Sequence, residues 1–297
     1  MHLRPYFALA AICFIWGTTY LAIRIGMQEF PAFLFSGLRF VIAGLIICAW
    51  FFSRGAKIPA AKDLINLIIS GTAISIGGNL LLCIAEKEVP SGIAAIINCG
   101  LPFWIVLFSR VLLPTEKITT TLVTGLVIGF LGQMLIFYDQ IKFLAEPAYL
   151  SGIILVFIAV MSGAFGSVYM KKHTIHTNPI FGGGLQMLIC GSITTTIGFA
   201  SGERLPLNAT SDTWLSFAYL IVFGSIIGYS SFCYALSKLP ATLVSIYTYI
   251  NPIVAVILGY FILQEEITWK TILAILITIV GVYIIKRGAA IKVAKEL

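Results

Sequence analysis

The chain has 297 residues, 59% of them hydrophobic and only 10% charged, with a formal net charge of +7. A soluble domain carries roughly 25% charged residues, so a soluble fold is excluded. The basic balance sits in short loops at the ends of apolar runs, which excludes a nucleic-acid-binding patch.

Runs of about 20 apolar residues cross a bilayer as helices, and barrel strands, which alternate over about 10 residues, do not fit runs this continuous. Ten runs are predicted, at 6–27, 33–52, 64–85, 91–112, 119–138, 149–170, 179–200, 214–236, 240–262 and 268–285. The first is too long for the apolar region of a secretion signal and is read as helix 1. The fold class is an all-α polytopic membrane protein.

In chain order, Trp16 lies ~15 Å into helix 1, with Tyr20 one turn further and Arg24 near the end. Arg39 is ~9 Å inside helix 2. Asn79 sits in the later part of helix 3, and Glu86 at its end. Helix 4 carries Asn98 and Pro102, and helix 5 the glycine-rich "GLVIGFLG". His173 and His176 form a short H-T-I-H loop with no further ligands, read as solvated rather than as a metal site. Helix 7 opens with "GGG" and helix 8 contains "GSIIG"; such small residues permit close helix approach, within the monomer or at a weak homodimer seam. In helix 9, Tyr247 and Asn251 share a face, Ser245 and Tyr249 lie close by, and Pro252 is about 18 Å beyond Pro240. The six cysteines all fall inside apolar runs and are read as packing residues. No cofactor or metal is implied.

Lysines and arginines concentrate in the loops that face the cytoplasm if the N-terminus is inside. With ten helices the C-terminus is then inside too. The outer ends hold only Lys87, Lys142, Arg204 and Lys270, together with most of the acids, among them Glu29, Glu203 and Glu265. The basic tail, which includes Lys292 and Lys295, can rest on anionic lipid.

The chain writes itself twice. Pro90, Pro102 and Glu116 recur 150 residues on as Pro240, Pro252 and Glu266, as do Gly78 and Cys83 as Gly228 and Cys233. "WGTTYLAIR" (16–24) matches "GAFGSVYMK" (163–171) at an offset of 147, which sets Arg39 against Gln186. The halves are 1–144 and 145–297, five helices each. Five is odd, so the second half enters the membrane upside down relative to the first, and such inverted repeats exchange shapes to open a midplane site to alternate sides. Prolines at matched depth in helices 4 and 9 are expected hinges or pocket walls, since each removes a helical hydrogen bond. Polar and aromatic groups at that depth, Trp16, Tyr20, Asn79, Asn98, Tyr247 and Asn251, suit a small organic solute better than a bare ion. An Arg39–Glu86 contact at the outer mouth is expected, either as a gate or as a static staple.

The stretches "IWGTTYLAIRIG" (15–26), "GLRF" (37–40), "AEKEVPSGIAA" (85–95), "GAFGSVY" (163–169), "FGSIIGYSSFCYAL" (223–236) and "YTYINPIVAVILGYFILQEE" (247–266) resemble the EamA-type drug/metabolite transporter superfamily, and within it bacterial inner-membrane exporters. The resemblance covers essentially the whole chain as two tandem units. It implies ten helices with both termini cytoplasmic in the inner (plasma) membrane. It also implies a cavity lined mainly by helices 1–4 and 6–9, helices 5 and 10 at the periphery, and efflux of amino acids, metabolites or drug-like compounds. Gly163 stands where helix 6 of such proteins often carries tryptophan, and "LQEE" where many have Gly-Glu.

The function expected is a secondary-active exporter of a small organic solute, with an importer or facilitative permease as the alternative and a non-transporting assembly or sensor protein as a remote one. Proton coupling stays open. Neither an H-E-x-x-H, a paired intramembrane Asp, nor a Ser–His pair within the spans supports an enzyme, and without a Walker A motif ATP is not the direct energy source.

Overall fold

The computed structural model describes residues 3–114, 118–173, 177–263 and 266–293, without the side chains at 20, 91, 262, 263 and 289–293. The side chains of Tyr20 and Lys292, and all of Glu116, His176, Glu265 and Lys295, therefore lie outside the described residues.

Among the described residues ten long helices follow one another: α1 Arg4–Gly26, α2 Ala32–Ser53, α3 Ala61–Ala85, α4 Gly92–Leu112, α5 Thr120–Ile136, α6 Leu150–Lys172, α7 Pro179–Ala200, α8 Ser211–Lys238, α9 Ala241–Phe261 and α10 Trp269–Gly288. Nine are long and apolar enough to cross a membrane unaided; α5, at 17 residues, is the short one and turns by 89° into the 3-10 segment Tyr138–Ala145. The bounds of α7 repeat those of α2 at an offset of 147 at both ends. Each of the two closes on a left-handed glycine, Gly55 (φ 80°) and Gly202 (φ 86°), also 147 apart, a conformation that costs other residues 1–2 kcal/mol or so. Thr119 and Thr268 begin α5 and α10 with the same capping bond, their hydroxyls accepting from Leu122 N (3.2 Å) and Thr271 N (3.3 Å).

Two of the pairings join a helix to its own repeat mate. α2 packs on α7, and α5 on α10. Glycine makes both contacts backbone to backbone: a Cβ on Gly44 would lie 2.5 Å from Leu188 N, and one on Gly281 would lie 2.4 Å from Gly129 N. The glycines singled out in the sequence, Gly125, Gly129, Gly183 and Gly184, thus pack against other helices of the same chain.

The remaining helices do not stay within their halves. α1 packs on α8 and α9, and α6 packs on α3 and α4. The first helix of each half has crossed into the other, leaving two three-helix bundles, α1–α8–α9 and α3–α4–α6, with the α2/α7 pair beside them. Polar side chains lock the peripheral pair in place. Gln133 of α5, fully buried, donates to Tyr249 O (3.0 Å) and Thr278 Oγ1 (3.1 Å), and Tyr249 donates to Leu126 O (3.0 Å). Tyr249, expected near the site, therefore faces α5 instead.

At one end of the bundle two loops cap each other's helices. The carboxylate of Glu203, after α7, accepts from Phe33 N (3.3 Å) and Leu34 N (2.9 Å) at the start of α2. Glu29, after α1, accepts from Thr210 N (3.0 Å) and from the hydroxyls of Thr210 and Thr213 at the start of α8. Acids at helix N-termini satisfy free N–H groups and meet the positive end of the dipole. The Thr213 hydroxyl first, and then Thr210, holds the Glu29 carboxyl below its ordinary 4.5.

Candidate functional site

α3 and α8 each widen to π-helical geometry in mid-span, over Thr72–Leu80 and Leu220–Tyr229. These segments are repeat mates, and such wide turns concentrate at functional sites because they leave carbonyls only loosely paired. Each segment lends a carbonyl to the exchanged helix beside it. Trp16 Nε1 of α1 donates to Gly224 O (3.1 Å), and Ser162 Oγ of α6 donates to Ala73 O (2.9 Å). Gly228 admits the indole, since a Cβ there would lie 2.6 Å from Trp16 Nε1.

Between the two bundles lies a cavity of about 160 Å³. Trp16, Asn79, Asn98, Tyr247 and Asn251 all line it, as do Arg39 and Glu86. Seven of the sequence-predicted side chains thus meet at one place, although they come from five helices, Glu86 from the end of one of them. Helices α5 and α10 contribute nothing to the lining among the described residues, and neither does α7, which the resemblance had implied.

One wall is aromatic. Trp16 meets Tyr247 edge-on with ring centroids 4.9 Å apart and Phe232 at 5.4 Å, while Phe232 and Tyr247 are 6.2 Å apart. Asn251, 2% exposed, supports that wall: in the amide orientation that turns nitrogen to the two carbonyls, it donates to Cys13 O (3.0 Å) and Tyr247 O (2.8 Å). It ties α9 to α1 while its edge reaches the cavity.

The opposite side is polar. Arg39, 4% exposed, donates from Nη2 to Asn79 Oδ1, which also accepts from Ser36 Oγ (3.2 Å). Phe40 lies under the guanidinium, 4.7 Å from Cζ to the ring centroid. Glu86 is half-buried in the same cavity, yet among the described residues neither a hydrogen bond nor an ion pair joins it to Arg39. Arg39 lies deeper than Glu86, which follows the end of α3, and bonds to Asn79 about two turns earlier in that helix.

The prolines behave differently from each other. α4 breaks at Cys99–Gly100 and restarts at Leu101, with Pro102 in the new first turn, where its missing N–H costs nothing. α9 breaks at Ser245–Ile246 instead, and Pro252 sits inside the unbroken stretch Tyr247–Leu263. The carbonyl that Pro252 cannot pair, Thr248 O, lies 3.5 Å from Cys99 Sγ, and Gln133 Oε1 is 3.6 Å from the same thiol. Neither proline lines the cavity among the described residues.

Several lining groups were not singled out from the sequence: Ser75, Ser225, Tyr229 and Phe232. The repeat offset could have found most of them, because Ser225 and Tyr229 stand 150 residues after Ser75 and Asn79.

The EamA-like transporter family model matches residues 3–138 and again 150–287. The chain belongs to that family. This EamA protein is 33% identical to the uncharacterised inner membrane transporter YedA of Escherichia coli, over 99% of this chain and 95% of that one. It is 26% identical to an uncharacterised transporter of Archaeoglobus fulgidus (96% and 99% covered) and 27% identical to the protein PagO of Salmonella typhimurium (91% and 88% covered). A crystal structure at 18% identity superposes with a TM-score of 0.83 over 98% of this chain and 99% of its own, which shows the ten-helix inverted-repeat fold. This EamA protein is accordingly a multi-pass membrane protein of a transporter family.

Proposed function

We propose that the protein is a secondary-active exporter of a small organic solute, working by alternating access through the central cavity. The observation that carries this reading is the cavity itself: it lies at mid-span between two bundles that are inverted copies of each other, each built with one exchanged helix. Rocking one bundle against the other, with the π segments and the α4 and α9 breaks as the yielding points, would open it to one side and then the other. Pro102, in the first turn after the α4 break, and Pro252, inside α9 beyond its break, remain the proposed hinges. Trp16, Asn79, Asn98, Tyr247 and Asn251 contact the solute in this reading, with Tyr20 a further member of the set. Arg39 and Glu86 line its route.

A cavity of about 160 Å³ suits an amino-acid-sized metabolite in this conformation, below the 300–1,000 Å³ typical of drug-sized pockets. In this reading both termini are cytoplasmic, supported by the excess of Lys and Arg on the loops of one face.

Uptake of radiolabelled amino acids, nucleosides and organic acids into proteoliposomes, with and without a pH gradient, tests the reading. Flux of one of these that Asn251→Leu abolishes in a protein of unchanged fold supports it. No flux of any, or unaltered kinetics in the Asn251→Leu variant, would overturn it. A membrane-impermeant label on a single C-terminal cysteine, reacting only in inside-out vesicles, supports the orientation.

A further inference from the structure

A guanidinium has five N–H donors and no acceptor. For Arg39, buried at 4% exposure, the polar contact is one neutral oxygen, Asn79 Oδ1, and its Nε–H points at no acceptor among the described residues. Ser225, 1% exposed on the π segment of α8, likewise has a hydroxyl with no partner among them. α2 packs against that segment, and both side chains line the one cavity. Glu86 is an opposite charge in the same cavity, yet among the described residues it makes no ion pair or hydrogen bond with Arg39, and a buried donor left unpaired is costly.

The repeat supplies an internal control. Gln186, the mate of Arg39, is fully buried and saturated: its Nε2 donates to Ser70 Oγ (2.6 Å) and Leu67 O (3.3 Å), and its Oε1 accepts from Tyr229 OH (3.0 Å). The fold therefore meets the polar demand at this position with a neutral amide where the side chain does not line the cavity. Only the cavity-lining copy carries a charge and a vacant donor.

We propose that the solute carries a carboxylate, which docks on Arg39 Nε and Ser225 Oγ while its apolar body lies against Trp16, Phe232 and Tyr247. This rests on the transport reading only for the word solute. A carboxylate accepts from both vacant donors, and its bond with the guanidinium is charge-assisted. The ring faces, 4.9–5.4 Å from centroid to centroid around Trp16, take a flat or branched hydrocarbon. The carboxylate could belong to a plain organic acid or to an α-amino acid, whose ammonium would then face Glu86.

Four probes with one body separate these chemistries: phenylacetate, phenylalanine, phenethylamine and 2-phenylethanol, each titrated against the detergent-solubilised full chain by calorimetry and thermal shift. Binding of either carboxylate in preference to the amine and the alcohol is the expected result. Arg39→Gln should remove that preference, and Ser225→Ala should weaken carboxylate binding about tenfold. Ser225→Ala removes only one hydroxyl and serves if Arg39→Gln fails to fold. Phenylalanine above phenylacetate, with the difference erased by Glu86→Gln, identifies an amino acid; the reverse order identifies a plain acid. Equal or better binding of phenethylamine, no binding of either carboxylate at millimolar concentration, or full carboxylate affinity in Ser225→Ala would overturn the proposal. Carboxylate binding without flux would sink the transport reading alone, and flux of an uncharged or cationic solute would sink this proposal alone.

Discussion

Two hydrogen bonds, one in each half, occupy the same place in the repeat. In the first, Arg39 of α2 donates to Asn79 of α3; in the second, Tyr229 of α8 donates to Gln186 of α7. The backbone frame is common to both, but the second pair is neutral and closed, whereas the first carries a charge and an unused donor. Helices α1 and α6 differ in the same sense. Trp16 fills its side of the cavity and holds Gly224 O, while its mate Gly163 leaves the other side bare. Duplication thus preserves the mechanics and frees the side chains, so that recognition can be placed in one half alone.

The sharpest way to break the comparison is to restore the missing tryptophan. Only Leu101 Cδ1, at 4.0 Å, stands near a Cβ built on Gly163, so Gly163→Trp should fold with an unchanged melting temperature. Flux should fall by roughly tenfold or more as the indole takes up the cavity; full transport by that variant would show that the solute passes elsewhere. Next in size is Gln186→Leu, which leaves the buried Tyr229 hydroxyl and Ser70 without their partner. A loss of about 1–3 kcal/mol in unfolding free energy is expected, with transport per folded molecule retained. A large transport defect without destabilisation would contradict the division of labour between the halves. Trp16→Phe keeps the ring contacts but drops the bond to Gly224 O, and should cost about 1 kcal/mol.

The smallest effect concerns the loops. Glu29 is exposed, and the hydroxyls of Thr213 and Thr210 hold its carboxyl below 4.5. A depressed acid stabilises the fold above its unfolded value and ceases to do so as pH falls through the folded one. Glu29→Gln should therefore lower the melting temperature slightly at pH 7, and the difference should shrink on acidification below the ordinary 4.5 and vanish once pH has passed the lower folded value. A gap that persists unchanged at low pH would assign the contact to hydrogen-bond geometry rather than charge.

Much of this was legible in the sequence for simple reasons. Hydropathy counts spans, an odd number of spans per half dictates inversion, and depth along a helix follows from ~1.5 Å per residue. Those three facts were enough to gather Trp16, Asn79, Asn98, Tyr247 and Asn251 at one level. Rotation about a helix axis is set by packing with distant helices, so the choice of Asn79 over Glu86 as the partner of Arg39 was not legible. Nor was the break of α9 at Ser245–Ile246: Pro252 removes one bond, and Cys99 stands beside the carbonyl it frees. The π segments hold glycines, Gly77 and Gly78 in one and Gly224 and Gly228 in the other, but glycine recurs throughout the chain and does not by itself mark a widened turn.

The crossing of the first helices has a consequence for how the protein is made. While the ribosome is still translating the first half, α1 sits in the bilayer without the neighbours it needs, which arrive only with Ser211–Lys238 and Ala241–Phe261. Its indole and hydroxyl face must wait in lipid or in the care of the insertion machinery through seven further spans. A chain cut between the repeats would strand that helix, so the two halves are inseparable as a folding problem even though each is a copy of the other.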